Sequence, residues 1–413
     1  MQYDIFFSIS QTPVDGQMPD EAGMFESFFD QVELADELGF GVAWVAESHL
    51  SSEVQKTNKA PVIPHWKGEV GLNVDLTQVA NHIFARTKRI EVGSAVMNIL
   101  CNGGPVAAAE RVAYALFLHG LNPAETRKFH VGFAAGRFDF MNRASGIVPR
   151  DAVEEAAGPA MKGKTFGEAT EIFLKLLRGD TLSSEDIATP SFSRADFRSD
   201  EHWEQVCEAY GDASATTVPL KHRWPFESLK IVPQTWRRDL LQLVIGSHDP
   251  KQQDFANTIL PTQVFNLSIT RPEVIESTHT RMKDTYHRDG GSWSRGYMPR
   301  TVFVFVHEDP AKSTSENQAA AQSSAEAALG AYWTALEGTL DPSKVAKAAD
   351  NALIGNADQV AAQIVERFHP DDRLMLWFDF FNHDNEAVKT SMRVFIEEVA
   401  PRVKVLLQEK QSP

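Results

Sequence analysis

ADELGFGVAWVAESHL, residues 35–50, reads as the end of a helix, a tight turn, a buried strand and then a run of polar groups. Upstream, Met24, Phe25, Phe28, Phe29, Val32, Ala35 and Leu38 recur every three or four residues. That is the apolar stripe of an amphipathic helix, and Gly39 supplies its stop. Val42–Val45 is a short apolar strand that runs out onto Glu47, Ser48 and His49. Polar residues just past the C-terminal end of a buried strand are where barrels and doubly wound sheets build their sites.

Outward from this unit the same alternation continues. Tyr3–Ile9 is a strand before it; after it come a helix at Leu76–Arg86, a strand at Ile90–Met97, a helix at Pro105–Leu118 and a strand at Phe129–Ala134. A helix at Ala157–Leu177, strands at Leu240–Ile245, Val264–Leu267, Thr301–Val306 and Leu374–Phe378, and helices at Asp358–Phe368 and Glu386–Val399 complete the pattern. Strands joined in sequence by helices are parallel with right-handed crossovers, and eight of them close most economically into a (β/α)8 TIM barrel; an open doubly wound sheet is the alternative. Two stretches interrupt the period. Ser51–Asp75, after strand 2, carries Pro61, Pro64, His65 and Trp66 and reads as a flap over the strand ends. Residues 182–236, before strand 5, read as a loop-rich insertion, either a surface excursion or a wall of a pocket. Thr314–Leu329 is helical in propensity. The even spread of apolar residues favours one domain over residues 1–413.

The 413 residues carry a formal net charge of −16, which argues against a nucleic acid or an anionic membrane as partner, since either needs a concentrated basic face. The two cysteines, Cys101 and Cys207, form no C-x-x-C pair, so neither a disulfide framework nor a thiolate metal site is expected. No H-x-H stands on the first strand, which disfavours a metal-dependent hydrolase barrel. The opening MQYDIFFSISQ has no basic region followed by a long apolar run, and no window of about 18 apolar residues occurs, so a cytoplasmic protein is the default expectation.

Three further segments carry chemistry. ARTKRIEVGSAV, 85–96, ends a strand on small residues, Ala95 and Val96, where a flat ring can approach the backbone, with Asn98 just beyond as a hydrogen-bonding group or the cap of its own turn. FHVGFAAGR, 129–137, ends on Ala134 and then Gly136 and Arg137; an arginine fork there suits a phosphate, unless it pairs with Asp139. VIGSHDPKQQ, 244–253, sets Gly246 and Ser247 before a helix whose first turn holds Pro250 and Lys251: free amides, a hydroxyl and an ammonium form an anion site, while Ser247 or Asp249 could equally cap the helix.

In order and spacing, A-x-x-LGF leading to WVAESHL, ARTKRIEVGSAV, GGPVAAAERVA, FHVGFAAGR, FESLKIVPQT before LQLVIGSHDP, and ALIGNADQVAAQIVERF with VAPRV resemble the bacterial luciferase-like flavin monooxygenases, a family of (β/α)8 barrels. The resemblance implies reduced FMN, or the deazaflavin F420, as cofactor. It implies a ring packed on Ala95–Val96 through a cis peptide, with Asn98 and Ala134 nearby, and a phosphate held by Gly246, Ser247, Lys251 and Arg137. The family commonly places its arginine where Ala135 stands here, two residues before Arg137. The catalytic turn commonly reads E-H-H; here it reads Glu47, Ser48, His49, so Ser48 stands at the position of the reactive histidine. His49 taking over, His383 doing the work, or reduced acid–base chemistry are the open readings.

The function so implied is a two-component monooxygenase: reduced FMN from a separate flavin reductase and O2 oxygenate a small organic substrate, in a homodimer. No nicotinamide fingerprint follows a strand, so electrons must come from outside. An F420-dependent hydride-transferring oxidoreductase, disfavoured by the acidic balance, and a non-catalytic partner subunit are the alternatives.

Overall fold

The computed structural model describes residues 1–14, 16–54, 68–335 and 350–411. Eight parallel strands follow one another around a curled sheet: β1 Gln2–Phe7, β2 Val42–Val45, β3 Glu91–Ser94, β4 Phe129–Ala134, β5 Leu241–Ile245, β6 Thr262–Val264, β7 Arg300–Val306 and β8 Arg373–Trp377. Each pairs with the next, and β8 returns to β1, with Gln2 opposite Arg373 and Ile5 opposite Leu376. The seam between β6 and β7 is closed by a single bridge, where the Asn266 amide donates to the Pro299 carbonyl at 2.9 Å and Thr301 donates back to Asn266 at 3.1 Å. Above that bridge the same edge of β7 pairs with Leu353–Gly355. The expected α/β TIM-type barrel is therefore the fold.

Local chemistry explains the elements. Helix α1, Glu21–Leu38, starts where Asp20 accepts the Gly23 amide at 2.7 Å and stops at Gly39, whose φ of 87° is the left-handed conformation that favours glycine. Near its C-terminal end Asp36 accepts the amides of Lys88, Arg89 and Ile90, which fixes the turn between helix α2, Leu76–Arg86, and β3. Helices α3, Gly104–His119, and α4, Pro159–Arg178, cover the next strands. Apolar side chains facing the helices form the main core, and Phe6, Val42, Trp44, Val244, Phe265 and Met375 fill the barrel itself. A Cβ on Gly93 would come within 2.5 Å of the Trp44 indole, so only glycine leaves that ring its space. At the N-terminal end of the barrel, wholly buried Asp4 accepts from Trp44 Nε1 at 2.7 Å, from the Val42 amide at 3.1 Å and from Arg373 Nε at 2.5 Å.

The structure differs from the sequence reading at several places. The first strand ends at Phe7 rather than Ile9, because Ile9 takes a positive φ of 44°. The third breaks at the cis peptide Ala95–Val96, after which Met97–Asn98 pairs with β4. The sixth lies upstream of the expected Val264–Leu267, held by the Asn257 side chain, which accepts the Thr262 amide and donates to its carbonyl. The expected Ala157–Leu177 helix is α4, starting at Pro159, and Gly158 sets it off from a separate short helix at Ala152–Ala157. The last helix, Asn385–Val394, passes through a π turn at Phe395–Val399 just before Pro401, whose ring cannot be accommodated in a regular turn. Residues 182–236 hold more order than a loop-rich stretch: Ser191–Ser193 pairs with Thr217–Pro219, and helix Asp200–Tyr210 packs with them on Phe192, Phe197, Val206 and Val218. The centre of the expected flap, residues 55–67 with Pro61, Pro64, His65 and Trp66, lies outside the described residues.

Candidate active site

Three strand ends meet in a floor of small residues. β4 approaches β3 so closely that a Cβ on Gly132 would lie 2.1 Å from the Ser94 carbonyl oxygen. One layer further out, a Cβ on Gly246 would lie 3.1 Å from Val96 Cγ2 and 3.2 Å from Ala134 Cβ, and the Gly246 amide donates to the Phe133 carbonyl at 2.8 Å. Ala95, Val96, Ala134 and Gly246 are thus brought together. Ala95 and Val96 are also partly exposed members of the cluster that fills the barrel, so they form its upper surface. A flat, largely apolar ring fits such a surface, where any larger side chain on Gly246 would intrude.

The elements expected from the sequence to meet an anion lie beside this floor. Helix α5, Pro250–Asn257, begins after Ser247, whose carbonyl accepts from Gln253 Nε2 at 2.7 Å and whose hydroxyl accepts the Asp249 amide at 3.2 Å. Asp249 caps the helix through the Lys251 amide at 3.0 Å, leaving the exposed Lys251 ammonium and the Ser247 hydroxyl as the groups able to meet a phosphate. Arg137 does not pair with Asp139, which binds Lys162 at 3.1 Å instead. Its guanidinium is exposed and lies over the Phe138 ring at 5.7 Å. Asn98 is committed to the protein: its amide nitrogen donates to Asn142 Oδ1 at 2.8 Å and its oxygen accepts the Leu100 amide at 3.0 Å.

Beyond β2 the polar turn is buried. Glu47 Oε1 is 3.0 Å from His49 Nε2, and Oε2 accepts the Leu76 amide at 3.3 Å, at the start of α2. Burial opposes a charge on the imidazole, but the Cys101 side chain and the Glu47 carboxylate together hold its pKa at about 10. His49 is therefore an imidazolium near neutral pH, an acid rather than a base. Ser48 is 7 % exposed and donates its amide to the Asn73 carbonyl at 3.0 Å. His383 is tied to the loop after β1, its Nε2 lying 2.5 Å from the Thr12 carbonyl oxygen, and burial lowers its pKa. The site residues of the sequence reading fall in two groups, the ring floor with its anion flank and the Glu47–His49 turn.

Sequence reasoning missed three side chains here. Cys101 follows β3 and lies against His49. Trp377 and Asp379 stand at the end of β8, their polar atoms buried beside each other with the indole acting on the Asp379 carboxylate, whose pKa burial nonetheless raises to about 7. The signal for the last was present in WFDFFNH, residues 377–383, where one carboxylate interrupts an aromatic run at a strand end. A cavity of about 600 Å3 opens beside the ends of β7 and β8, walled by Phe305, Phe380, Phe381 and Ala328. Among the described residues no three metal-ligating side chains cluster, and no helix is long and apolar enough to cross a membrane.

With this fold and floor, the chain belongs to the luciferase-like monooxygenase family, whose profile matches residues 1–370. Among solved structures it is similar to the monooxygenase RslO1 from Streptomyces bottropensis, at 18 % identity over 97 % of this chain and 99 % of that one, with a TM-score of 0.65. It is similar too to the FMN-bound oxygenating constituent of 3,6-diketocamphane monooxygenase from Pseudomonas putida, at 12 % identity, 98 % and 99 % coverage and a TM-score of 0.56. An F420-dependent secondary alcohol dehydrogenase matches at 14 % identity, 97 % and 98 % coverage and a TM-score of 0.54. No curated protein sequence matches.

Proposed function

We propose that this protein is a flavin-dependent monooxygenase that takes reduced FMN from a separate flavin reductase and, with O2, oxygenates a small organic substrate. The observation that carries the reading is the floor of Ala95, Val96, Ala134 and Gly246 at the C-terminal ends of β3, β4 and β5, in a chain of the luciferase-like family. Reduced flavin, when bound, supplies the electrons that activate oxygen. The protein's own groups do the rest. The floor holds one ring face, and Ser247, Lys251 and Arg137 flank it as phosphate ligands. Glu47, bonded at Nε2, and Cys101 keep His49 charged, so that the imidazolium can act as an acid toward an oxygen that gains charge during the reaction. The cavity beside β7 and β8, aromatic at Phe305, Phe380 and Phe381 and polar at His307, Glu308 and Asp309, offers room for a substrate. The chain acts as one barrel domain with residues 182–236 inserted, assembled as a homodimer in the cytoplasm.

The test is an anaerobic titration with photoreduced FMN, then mixing with oxygenated buffer while flavin reoxidation is followed. Tight binding of reduced FMN, with reoxidation slower than that of free flavin, supports the reading. Binding of reduced F420 with no binding of reduced FMN overturns it in favour of hydride transfer; binding of neither favours a non-catalytic partner subunit.

A further inference from the structure

The cavity of about 600 Å3 spans β7 from one edge to the other, and its two sides differ in chemistry. One edge of β7 pairs with β8, and the chain leaving β8 brings Phe378, Phe380 and Phe381 to the lining. The other edge pairs with Leu353–Gly355. On that side the chain leaving β7 brings His307, Glu308 and Asp309, with the His307 amide bonded to the Gly355 carbonyl at 3.2 Å and Glu308 to the Ala357 amide. The helix Thr314–Ala335 closes the space with a face of small side chains: Ala321, Ser324, Ala328 and Ala331 recur at helical spacing and all line it. An apolar body of drug-like size therefore has room between this helix and the aromatic side.

The polar side offers acceptors. Asn317, 1 % exposed, donates through its amide nitrogen to the Asp309 carbonyl at 3.1 Å and accepts the Asp309 amide at 2.9 Å, which fixes its oxygen toward His307 Nδ1, also at 2.9 Å. His307 Nδ1 thus carries a hydrogen, and in the neutral ring Nε2 presents a lone pair. Glu308 spends Oε2 on the Ala357 amide at 2.9 Å and keeps Oε1 free. Asp309 accepts the Ala311 amide through Oδ1 at 2.9 Å, with Oδ2 3.6 Å from Lys312 Nζ. The lining hydroxyls of Ser324 and Thr390 donate to the Ala320 and Glu386 carbonyls of their own helices, and the lining residues Asn382 and Ser391 belong to the segment after β8. A group that only donates and carries positive charge matches the 307–309 side; an ammonium has three donors and no acceptor.

We infer that this cavity binds a primary amine in its protonated form, the ammonium meeting the acceptors of residues 307–309 with Glu308 as its charged partner, and an aryl or alkyl body lying across β7 between the alanine face and Phe380 and Phe381. A carboxylate in the same place would face Glu308 and Asp309 as like charges, and an alcohol would donate once where the ammonium donates three times. The inference rests on the monooxygenase reading where it makes this amine the substrate. The Phe380 ring lies 4.9 Å from Trp377, which packs in one cluster with Ala95 and Val96, so the apolar side of the cavity is the side that adjoins the ring floor.

The test measures calorimetric binding of 4-phenylbutylamine, 4-phenyl-1-butanol and 4-phenylbutyrate to the full chain at neutral pH and physiological ionic strength, with n-butylamine as the control for attraction to the net negative surface. The amine is expected to bind about tenfold or more tighter than the alcohol, with the carboxylate weakest, as a hydrogen bond to a charged group implies. Glu308→Gln should bring the amine down to about the affinity of the alcohol. Ala331→Phe, or the exposed-site Ser324→Phe if the first fails to fold, should weaken amine and alcohol together by about tenfold, because each fills the cavity. Failure of all three compounds to bind, equal binding of amine and carboxylate, n-butylamine binding as tightly as the phenyl compound, or affinity unchanged in the Glu308 or cavity-filling variants each overturns the inference. Reduced FMN bound without amine preference refutes the amine site and leaves the monooxygenase reading standing. Amine preference without flavin binding does the reverse.

Discussion

Glu47 and His49 are joined at 3.0 Å, and the same carboxylate reaches the first turn of the following helix through the Leu76 amide. Two residues of one turn thereby link the charge state of an imidazole to the placement of α2. The carboxylate side chain is 3 % exposed and the imidazole 11 %, so water screens neither.

Replacing Glu47 by Gln should lower the His49 pKa from about 10 toward the ordinary imidazole range, as read from its NMR titration. Because the folded value lies above the unfolded one, the stabilisation is complete below about pH 6.5 and fades as pH rises toward 10. Wild-type protein should therefore lose stability across that window, and Glu47→Gln should show a shallower dependence with about 1–3 kcal/mol less stability at pH 6.

Gly246→Val should weaken binding of reduced FMN by about tenfold or more, because even the first added carbon lies 3.1 Å from Val96 and 3.2 Å from Ala134, on the surface assigned to the ring. Thermal unfolding with and without flavin separates the two effects. An unchanged dissociation constant would remove Gly246 from the cofactor floor.

Lys251→Ala and Arg137→Ala should distinguish two exposed cations as phosphate ligands. Each is expected to raise the dissociation constant of reduced FMN about three- to tenfold while leaving that of reduced riboflavin unchanged, since riboflavin lacks the phosphate. If both flavins weaken equally, the substituted residue holds the ring region or the fold rather than the phosphate.

Asp4→Asn should cost about 3–5 kcal/mol in urea unfolding, with little change in flavin affinity measured on the folded fraction. The substitution leaves Arg373 buried without its counter-charge at the end of the barrel opposite the site. A loss below about 1 kcal/mol would mean that the Trp44 and Val42 bonds alone hold the residue.

The architecture was legible because its determinants are local. The stripe of α1, the Gly39 stop and the apolar β2 define one strand–helix unit, and repetition of that unit leads to a closed parallel sheet. The proposed cofactor floor was partly legible, since strands ending in small residues are visible in Ala95, Ala134 and Gly246. What resisted reading depends on distant partners. Cys101 meets His49 only because the turns after β2 and β3 converge. Asp139 finds Lys162 rather than Arg137 because α4 passes beside it. The helix at Asp200–Tyr210 carried a Ser199 cap and a Gly211 stop, yet its apolar positions were too few to stand out against the charged residues around them.

The pairing of β1 with β8 sets a timetable for the chain as it is made. Gln2–Ile5 meet their neighbours at Arg373–Leu376 only after all the chain between the two strands has left the ribosome. Until then the outer edge of the first strand has no partner and Asp4 no arginine, so the nascent N-terminal half waits as an unclosed sheet with an open hydrogen-bonding edge and an uncompensated carboxylate. Synthesis at about 5–20 residues per second makes that wait tens of seconds, long enough for a chaperone to be the first partner that β1 encounters.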